Sequence, residues 1–323
     1  MRPFCGAATI VVALVGLWQV DRACAEDVFP SRVVRLVVPA AGGSTTDTLA
    51  RLFADKLSHT WAQSVIVENI AGGGMNVGAE HVAHSPPDGY TLMVAPPSPV
   101  SINHLLYREL NYDPRQFVAV ALLAKIPNAL VVRNDLPATS ITELIAYAKA
   151  NPDKLTYGSQ GAGSTAHLSA SQLEVLAGIK LVHVPYRGAI LALNDVMAGH
   201  IDMFFDTLTT SVPLWRAGKV RILAVASPER SPDVPELPTV SESGLPGFRS
   251  ITWFALVAPP GTPEAIVTKI NTDVSAAFRD LGDKLHELRL EPMPGSPTEA
   301  ARFIAAETAL WGNVIRQAHV TAQ

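Results

Sequence analysis

The chain has 323 residues, a formal net charge of −4 at pH 7 and 48% hydrophobic residues. Its acidic excess is small and it has no run of lysines or arginines, so its charge gives no reason to expect a nucleic-acid partner. At ~150 residues per domain, the length predicts a globular, soluble protein of about two domains.

The first 25 residues have the pattern of a signal peptide. An apolar run covers residues 7–18, and residues 23–25 match an A-x-A cleavage site. This run is too short to anchor the chain in a membrane. Both cysteines, Cys5 and Cys24, lie in this segment. We therefore expect an exported, periplasmic protein whose mature part, from residue 26, forms no disulfide and no cysteine–metal site.

Short β-rich runs alternate with amphipathic segments through the rest of the chain, which is typical of an α/β fold with mainly parallel sheets. The predicted strands cover residues 33–38, 65–67, 91–95, 130–132 and 222–226. A capping box at Ser140 and Glu143 predicts the start of one helix. A second capping box, Ser296 to Glu299 with Pro297 inside it, predicts a terminal helix over residues 300–315.

No low-complexity linker divides the chain into two halves. Two apolar β-type runs, residues 121–128 and 250–257, are the candidates for strands that cross between domains. This pattern predicts a discontinuous first domain, residues 26–124 plus 253–323, and a second domain of residues 125–252. Residues 1–25 would be the removed signal peptide.

Two junctions in the chain have nearly the same composition. After the first strand comes loop A (residues 41–47), and about a hundred residues later comes loop B (residues 158–165); a helix follows each loop. Free N–H groups and the positive end of the helix dipole attract an anion at such a junction. Loop A alone could be a tight turn with a good N-cap. Because loop B carries three glycines, the pair favours a site in which two loops, one from each half of the chain, close on one anionic ligand.

Other chemistries lack the residues that they need. Loop B matches the G-x-x-x-x-G frame of a P-loop, but Ser164 stands where that motif requires lysine. The chain has no G-x-S-x-G element for a hydrolase serine. His81 and His84 lie three residues apart without a third metal ligand, so a solvated helix face is the simpler interpretation. We expect no catalytic residue, no metal and no cofactor.

Three further side chains are ambiguous from the sequence. His167, just after loop B, would either contact a ligand or only cap its helix. Arg187 follows a predicted strand and could bind a carboxylate with its guanidinium, or be an ordinary surface arginine. Asp206 ends a predicted strand, at the edge where α/β clefts bind ligands, but it could also cap the next helix.

These residues occur within a longer series of short motifs. The series comprises Val37-Val38-Pro39, Val67-Glu68-Asn69, the glycine segment 72–78, Pro87-Asp88-Gly89-Tyr90-Thr91-Leu92, Tyr112-Asp113-Pro114, His183-Val184-Pro185-Tyr186, Ala198-Gly199-His200-Ile201-Asp202 and Leu237-Pro238-Thr239-Val240. In this order, from about Phe29 to near the C-terminus, the chain resembles the solute receptors of tripartite tricarboxylate transporters, the TctC or Bug proteins.

The resemblance implies a periplasmic-binding-protein-like fold, a Venus flytrap of two α/β domains joined by crossing strands. It also implies that loops A and B grip one carboxylate, and that a monomeric receptor delivers this solute to the membrane subunits of the transporter. The predicted ligand-binding residues are Ala41, Gly42, Gly43, Ser44, Thr45, Thr46, Asn76, Ser98, Ser159, Gly161, Gly163, Ser164, Thr165, His167, Tyr186, Arg187 and Asp206.

Some positions depart from the family pattern. Ala40 stands where an aromatic residue is common, and Arg187 where lysine is common. Asp206 matches a position that some amino-acid-binding relatives use for the ammonium group of the ligand. We expect a di- or tricarboxylate or an aromatic acid as the solute. The alternatives are a secreted hydrolase that uses the same loops and a receptor that feeds a membrane sensor.

Overall fold

The computed structural model describes residues 29–321, and the predicted signal peptide lies outside them. The described chain alternates strands and helices, as predicted. The strands are β1 Val34–Val38, β2 Val65–Asn69, β3 Thr91–Ala95, β4 Val118–Val132, β5 Thr156–Ser159, β6 Val182–Pro185, β7 Met203–Thr207, β8 Arg221–Val225, β9 Ile251–Ala258 and β10 Glu291–Pro292. The helices are α1 Thr45–Trp61, α2 Asn76–Ala83, α3 Asn103–Leu106, α4 Ile141–Ala150, α5 Thr165–Ala177, α6 Ala189–Ala198, α7 Leu208–Arg216, α8 Glu264–Glu287 and α9 Pro297–Ala318.

The strands form two lobes that share β4. Hydrogen-bonded neighbours follow the order β2-β1-β3-β9-β4-β7-β5-β6, and β8 and β10 also pair with β4. The expectation of mainly parallel sheets is wrong: the pairs β1–β2, β1–β3, β5–β6 and β5–β7 are parallel, but β4 and β9 run antiparallel to every strand they pair with. Residues 118–127 of β4 pair with β9, whereas residues 128–132 pair with β7 and β8. We call the part built on β1, β2, β3, β9 and the first segment of β4 lobe 1, and the part built on β5 to β8 and the end of β4 lobe 2.

The long strand β4 joins two stretches that the sequence suggests as separate strands. Pro127 lacks an N–H group and would weaken a central strand. Here Pro127 occupies the last pair with β9, and Asn128 begins the pairing with β7. The proline therefore stands where the strand changes partners. Both predicted runs form strands: residues 121–128 lie within β4 and residues 250–257 overlap β9. Of the two, β4 pairs with strands of both lobes, whereas β9 pairs with β3 and β4 in lobe 1.

Buried helix faces cover the sheets on both lobes. In α1, Leu49, Phe53 and Leu57 are spaced by four residues and are almost fully buried, which is the spacing of one helix face.

None of the helices between residues 29 and 321 combines the length and the apolar character needed to cross a membrane.

Helix α9 packs against both lobes. Its Trp311 and Ile315 form an apolar cluster with Ile102 and Leu106 of lobe 1 and with Leu168 of α5 in lobe 2. The predicted division of the chain assigns α9 to the first domain. Its contacts show that the last helix also restrains the second lobe.

Candidate functional site

Loop A is a short turn that is fixed by its own side chains. Gly43 adopts a φ of 79°, a left-handed conformation that glycine tolerates best. Ser44 caps α1, because its Oγ accepts a hydrogen bond from the Asp47 N–H at 3.2 Å. In return, the Gly43 N–H donates to Asp47 Oδ2 at 2.9 Å. Helix α1 therefore begins directly at the loop.

Loop B repeats this plan with one different side chain. Gly163 has a φ of 80°, and Ser164 Oγ caps α5 by accepting from the His167 N–H at 3.3 Å. The Gly163 N–H donates to His167 Nδ1 at 3.1 Å. His167 thus occupies the place that Asp47 has in loop A.

The two loops line opposite sides of one cavity of about 280 Å³. Several of the predicted ligand-binding residues lie on its wall. These are Ser44, Thr45, Thr46, Ser98, Gly161, Ser164, Thr165, Tyr186, Arg187 and Asp206. The structure therefore brings the loop hydroxyls and the three polar side chains of lobe 2 into one space between the lobes.

The other predicted residues lie outside the cavity wall and support it. These are Ala41, Gly42, Gly43, Asn76, Ser159, Gly163 and His167. Asn76 Oδ1 accepts hydrogen bonds from Asn103 at 2.5 Å and from the Tyr112 hydroxyl at 2.8 Å. Ser159 Oγ is hydrogen-bonded to His183 Nε2 at 2.6 Å. These side chains fix loop geometry in the structure.

The cavity also has wall residues outside the predicted ligand-binding set. They are Pro39, Ala40, Gly72, Gly73, Gly74, Met75, Pro96, Gln160, Pro185, Gly188, Ala189, Thr207, Thr252 and Phe254. Most of them adjoin a strand end or a helix start, which is the signal that could have found them. Thr252 and Phe254 lie two residues apart on one face of β9, so this strand forms part of the cavity wall.

Four helices begin at this cavity. Thr45 of α1, Thr165 of α5 and Ala189 of α6 line it, as does Thr207, the N-cap of α7. The first N–H groups of a helix have no acceptor within the helix, and its N-terminus carries a partial positive charge. Their convergence makes the cavity suitable for an anion without a lysine or a metal.

The anchors behind the two loops differ in charge. Burial alone would raise the pKa of Asp47, but hydrogen bonds from Arg51, Gly43 and Asn69 together lower it below its ordinary value. Burial and, to a smaller extent, the neighbouring His183 lower the pKa of His167 to about 4. Asp47 is therefore ionised at neutral pH, whereas His167 is neutral.

His167 lies in a stack of rings. Its ring is parallel to that of His183, with the centroids 4.2 Å apart, and Tyr157 stacks on His183 at 4.9 Å. Burial also lowers the pKa of His183 to about 4. A neutral ring can accept the Gly163 N–H through Nδ1, which a doubly protonated ring cannot do.

Asp206 is the buried acid of the cavity wall. Its residue surface is 2% exposed, and burial raises its pKa to about 7 despite hydrogen bonds from Thr210 and from the Thr207 backbone. Arg187, in contrast, is exposed at the mouth of the cavity. Among residues 29–321, no group of three or more His, Cys, Asp or Glu side chains is arranged to hold a metal ion.

The lobes touch each other around the cavity. Thr45 Oγ1 in lobe 1 and Thr207 Oγ1 in lobe 2 are 2.8 Å apart. The Ser98 hydroxyl donates to the Gly163 carbonyl at 3.1 Å. The structure therefore has a closed cleft.

Loop B is also joined to the crossing strands. Thr165 Oγ1 is 3.1 Å from Thr252 Oγ1 of β9. The Thr252 hydroxyl donates to Asn128 Oδ1 of β4 at 2.9 Å, and Asn128 Nδ2 donates to Ser250 Oγ at 2.7 Å. This buried network links the start of α5 to the strands about which the lobes would move.

Known proteins are similar to this chain in both sequence and architecture. The chain is 36% identical over 315 residues to the UPF0065 protein in the tcbD-tcbE intergenic region of Pseudomonas sp. strain P51, which covers 96% of this chain and 94% of that protein. The structure of Rpa4515 from R. palustris with adipate has a TM-score of 0.88 and 41% identity, and covers 91% of this chain and 100% of that one. The structure of MatC from Rhodopseudomonas palustris with bound malate has a TM-score of 0.83 and 36% identity, and covers 89% of this chain and 100% of that one.

These similarities confirm the predicted fold class, that of two-lobed periplasmic binding proteins. They also agree with the model of one protein family, described as the tripartite tricarboxylate transporter family receptor, which matches residues 49–320. Since this match covers most of the chain, the protein belongs to the tripartite tricarboxylate transporter family of receptors.

Proposed function

We propose that the protein is a periplasmic receptor that binds a small carboxylate between loops A and B and delivers it to a tripartite tricarboxylate transporter. The observation that carries this proposal is the convergence of four helix starts on one cavity of about 280 Å³ between the lobes. Such a site attracts a compact anion. The domains would be residues 26–124 plus 253–323 and residues 125–252.

The hydroxyl groups of the loops give the cavity a preference for carboxylate. Ser164 Oγ accepts a hydrogen bond from the His167 N–H, so its own hydrogen stays free to donate to a ligand. Thr46 adds a hydroxyl on the side of loop A. Two similar structures contain adipate and malate, which supports a dicarboxylate of similar size as the solute.

A ligand screen by thermal shift tests the proposal. The panel contains adipate, malate, a tricarboxylate and an aromatic acid, with neutral sugars of similar size as controls. An acid at 100 times its Kd adds about 2.7 kcal/mol to the free energy of unfolding. We expect at least one acid to raise the melting temperature. If only neutral sugars raised it, the proposal would be wrong.

The loops are tested by Ser164→Ala and Thr46→Ala. Each removes a hydroxyl from the cavity wall, and a hydrogen bond to a charged ligand contributes about 1.5–3 kcal/mol. We therefore expect each variant to raise the Kd by at least tenfold in titration calorimetry. Thr308→Ala, on α9, removes a hydroxyl that bonds only within its helix and serves as the control. Unchanged Kd values in both loop variants would remove the loops from the site.

Location and partners follow from the same proposal. We propose that the signal peptide directs the chain to the periplasm, where it acts as a monomeric receptor and not as an enzyme. Fractionation of cells that express the full chain tests the location. Pull-down of membrane proteins with and without the carboxylate tests delivery to the transporter subunits, and recovery of a sensor kinase instead would favour signalling over transport.

A further inference from the structure

Asp206 brings a carboxyl group into a cavity that is otherwise built for an anion. It lies near the end of β7, with neighbours of the sheet on both sides, and is 2% exposed. Only a hydroxyl and a backbone N–H stabilise its charge: the Thr210 hydroxyl donates to Oδ2, and the Thr207 backbone also donates. Within the part of the chain that the structure describes, no basic side chain forms an ion pair with it.

Two carboxylates in one desolvated space repel each other. Burial disfavours the charged form of an acid, and a second negative charge nearby disfavours it further, so that one of the two groups keeps a proton. The helix starts stabilise the negative charge of a ligand that reaches them. Asp206, which has fewer donors, is therefore the group that would keep the proton.

Hydroxyl groups connect Asp206 with a contact between the lobes. Thr210 is 3.1 Å from Thr207, and Thr207 is 2.8 Å from Thr45 of lobe 1. This row of hydroxyls runs from Asp206 across the gap between the lobes. Opening the cleft would separate Thr45 from Thr207 and admit water to the row, which would favour the ionised acid.

The other titratable groups around the cavity do not compete for this role. Burial raises the pKa of Tyr186 to about 12, and its hydroxyl donates to Asp195. The Asp47 carboxylate forms an ion pair with Arg51 behind loop A. His167 stays neutral above about pH 4 behind loop B, and the guanidinium of Arg187 is exposed at the mouth.

We propose that Asp206 enters the closed complex as a neutral carboxylic acid that donates its O–H to the bound carboxylate, so that binding takes up a proton from solution. This inference rests on the proposed function. The proton moves from water to one Asp206 oxygen, and no covalent bond to the ligand forms. An ammonium-bearing ligand would do the opposite, because it would keep Asp206 ionised.

Titration calorimetry in buffers of different ionisation enthalpy tests the inference at pH 7. The probes are adipate and malate. The wild-type protein should take up roughly 0.5 to 1 proton per ligand. Its Kd should rise by up to about tenfold for each pH unit between pH 7 and 9, because an ionised Asp206 must then be protonated on binding.

Asp206→Asn keeps the shape of the side chain but removes its titratable proton. This variant should bind the same acid at pH 7, take up no proton and show a Kd that is constant from pH 7 to 9. Glu307→Gln is the matched control, since Glu307 is a buried acid that pairs with Arg249 outside the cavity. We expect Glu307→Gln to take up the same number of protons as the wild type.

The possible failures are distinguishable. If adipate, malate and every other acid in the thermal-shift panel fail to bind, the proposed function fails and the inference fails with it. If an acid binds without proton uptake by the wild type, or if Asp206→Asn still takes up the proton, only the inference is wrong. Preferred binding of an amino acid that Asp206→Asn abolishes would also overturn it, because Asp206 would then be an ionised partner.

Discussion

Loops A and B have the same backbone plan but different anchors. In each, a left-handed glycine precedes a capping serine, and the glycine N–H bonds to the side chain four residues on. That side chain is the ionised Asp47 in loop A and the neutral His167 in loop B. The turn therefore needs a hydrogen-bond acceptor at this position, and either a carboxylate or an imidazole can supply it.

The surroundings of the loops differ as much as the anchors. A Cβ on Gly43 would meet no atom within 4 Å, whereas a Cβ on Gly163 would lie 2.8 Å from Leu106 and 2.9 Å from Asn103. Loop A is therefore held by polar contacts within lobe 1 and is open at its glycine. Loop B belongs to lobe 2 but is packed against lobe 1.

We expect the largest effect on stability when the charged anchor, Asp47, is removed. Asp47→Ala leaves the Gly43 N–H, Arg51 and Asn69 without their shared acceptor. We expect the free energy of unfolding in urea to fall by about 3 kcal/mol, since each hydrogen bond to a charged group contributes about 1.5–3 kcal/mol and Arg51 is partly solvated. Asp280→Ala, which removes an exposed partner of Lys56, should change it far less, because a solvated ion pair contributes little to stability. Equal effects of the two variants would contradict this account of loop A.

Because His167, the neutral anchor, is not protonated in the folded protein at neutral pH, we expect the protein to lose stability in weak acid. His167 and His183 have pKa values of about 4 in the folded protein, below the ordinary value of about 6.5. Between these values the unfolded chain binds protons that the folded one does not, so stability falls as the pH falls from 6.5 towards 4. The lowered pKa of Asp47 affects stability only at still lower pH, below its ordinary value.

Asp206 complicates this measurement, because its raised pKa makes the folded protein bind an extra proton in the same range. The test is therefore made in Asp206→Asn. We expect its free energy of unfolding to drop by about 2.5 kcal/mol from pH 7 to pH 5.5, and the further change His183→Gln to reduce that drop by about half. A drop that is unaffected by His183→Gln would show that other groups cause it.

The two glycines should respond differently to alanine. Both positions have a positive φ, so Gly43→Ala and Gly163→Ala should each lower the free energy of unfolding by about 1 kcal/mol. Only Gly163→Ala adds a clash with lobe 1, which exists when the cleft is closed. Overpacking of this kind costs about 1–3 kcal/mol, so its Kd for the carboxylate should rise tenfold or more. Similar Kd values for both variants would show that loop B is not confined by lobe 1.

The smallest effects should come from the first threonine of each helix. Thr165→Val removes a buried bond to Thr252 and should lower the free energy of unfolding by about 1 kcal/mol. Thr45→Val removes a bond that joins the lobes, so it should leave unfolding of the unliganded protein nearly unchanged and raise the Kd by about threefold to tenfold. If instead Thr45→Val lowered the free energy of unfolding in urea and Thr165→Val raised the Kd in calorimetry, the two contacts would have the opposite roles.

The sequence predicted the parts of this site that are local. Loops A and B were found from their glycines and hydroxyls, because capping and left-handed turns depend on a few neighbouring residues. The α/β class and the crossing strands follow from periodicity and composition. The resemblance to the family supplied the two-lobed architecture, which the relatives confirm.

The parts that depend on distant residues could not be predicted in this way. The sequence left open whether His167 contacts a ligand or caps a helix; its neutral state arises from burial, to which the neighbouring His183 adds. The burial of Asp206 and the approach of Thr45 to Thr207 depend on how the lobes meet. The starts of α6 and α7 join the cavity for the same reason. Arg187, just before α6, was a candidate for carboxylate binding from the sequence, whereas the start of α7 has no comparable local signal.

The shared strand β4 sets an order for folding. All strands of lobe 2 have been synthesised once the chain has passed Val225, the last residue of β8. Lobe 1 is different, because β3 and the first segment of β4 both wait for β9, with Met93 pairing with Val257. Contacts between such distant residues form slowly, and an unpaired edge is prone to aggregation. Lobe 2 is therefore expected to fold first, and the last quarter of the chain completes the lobe that the N-terminus began.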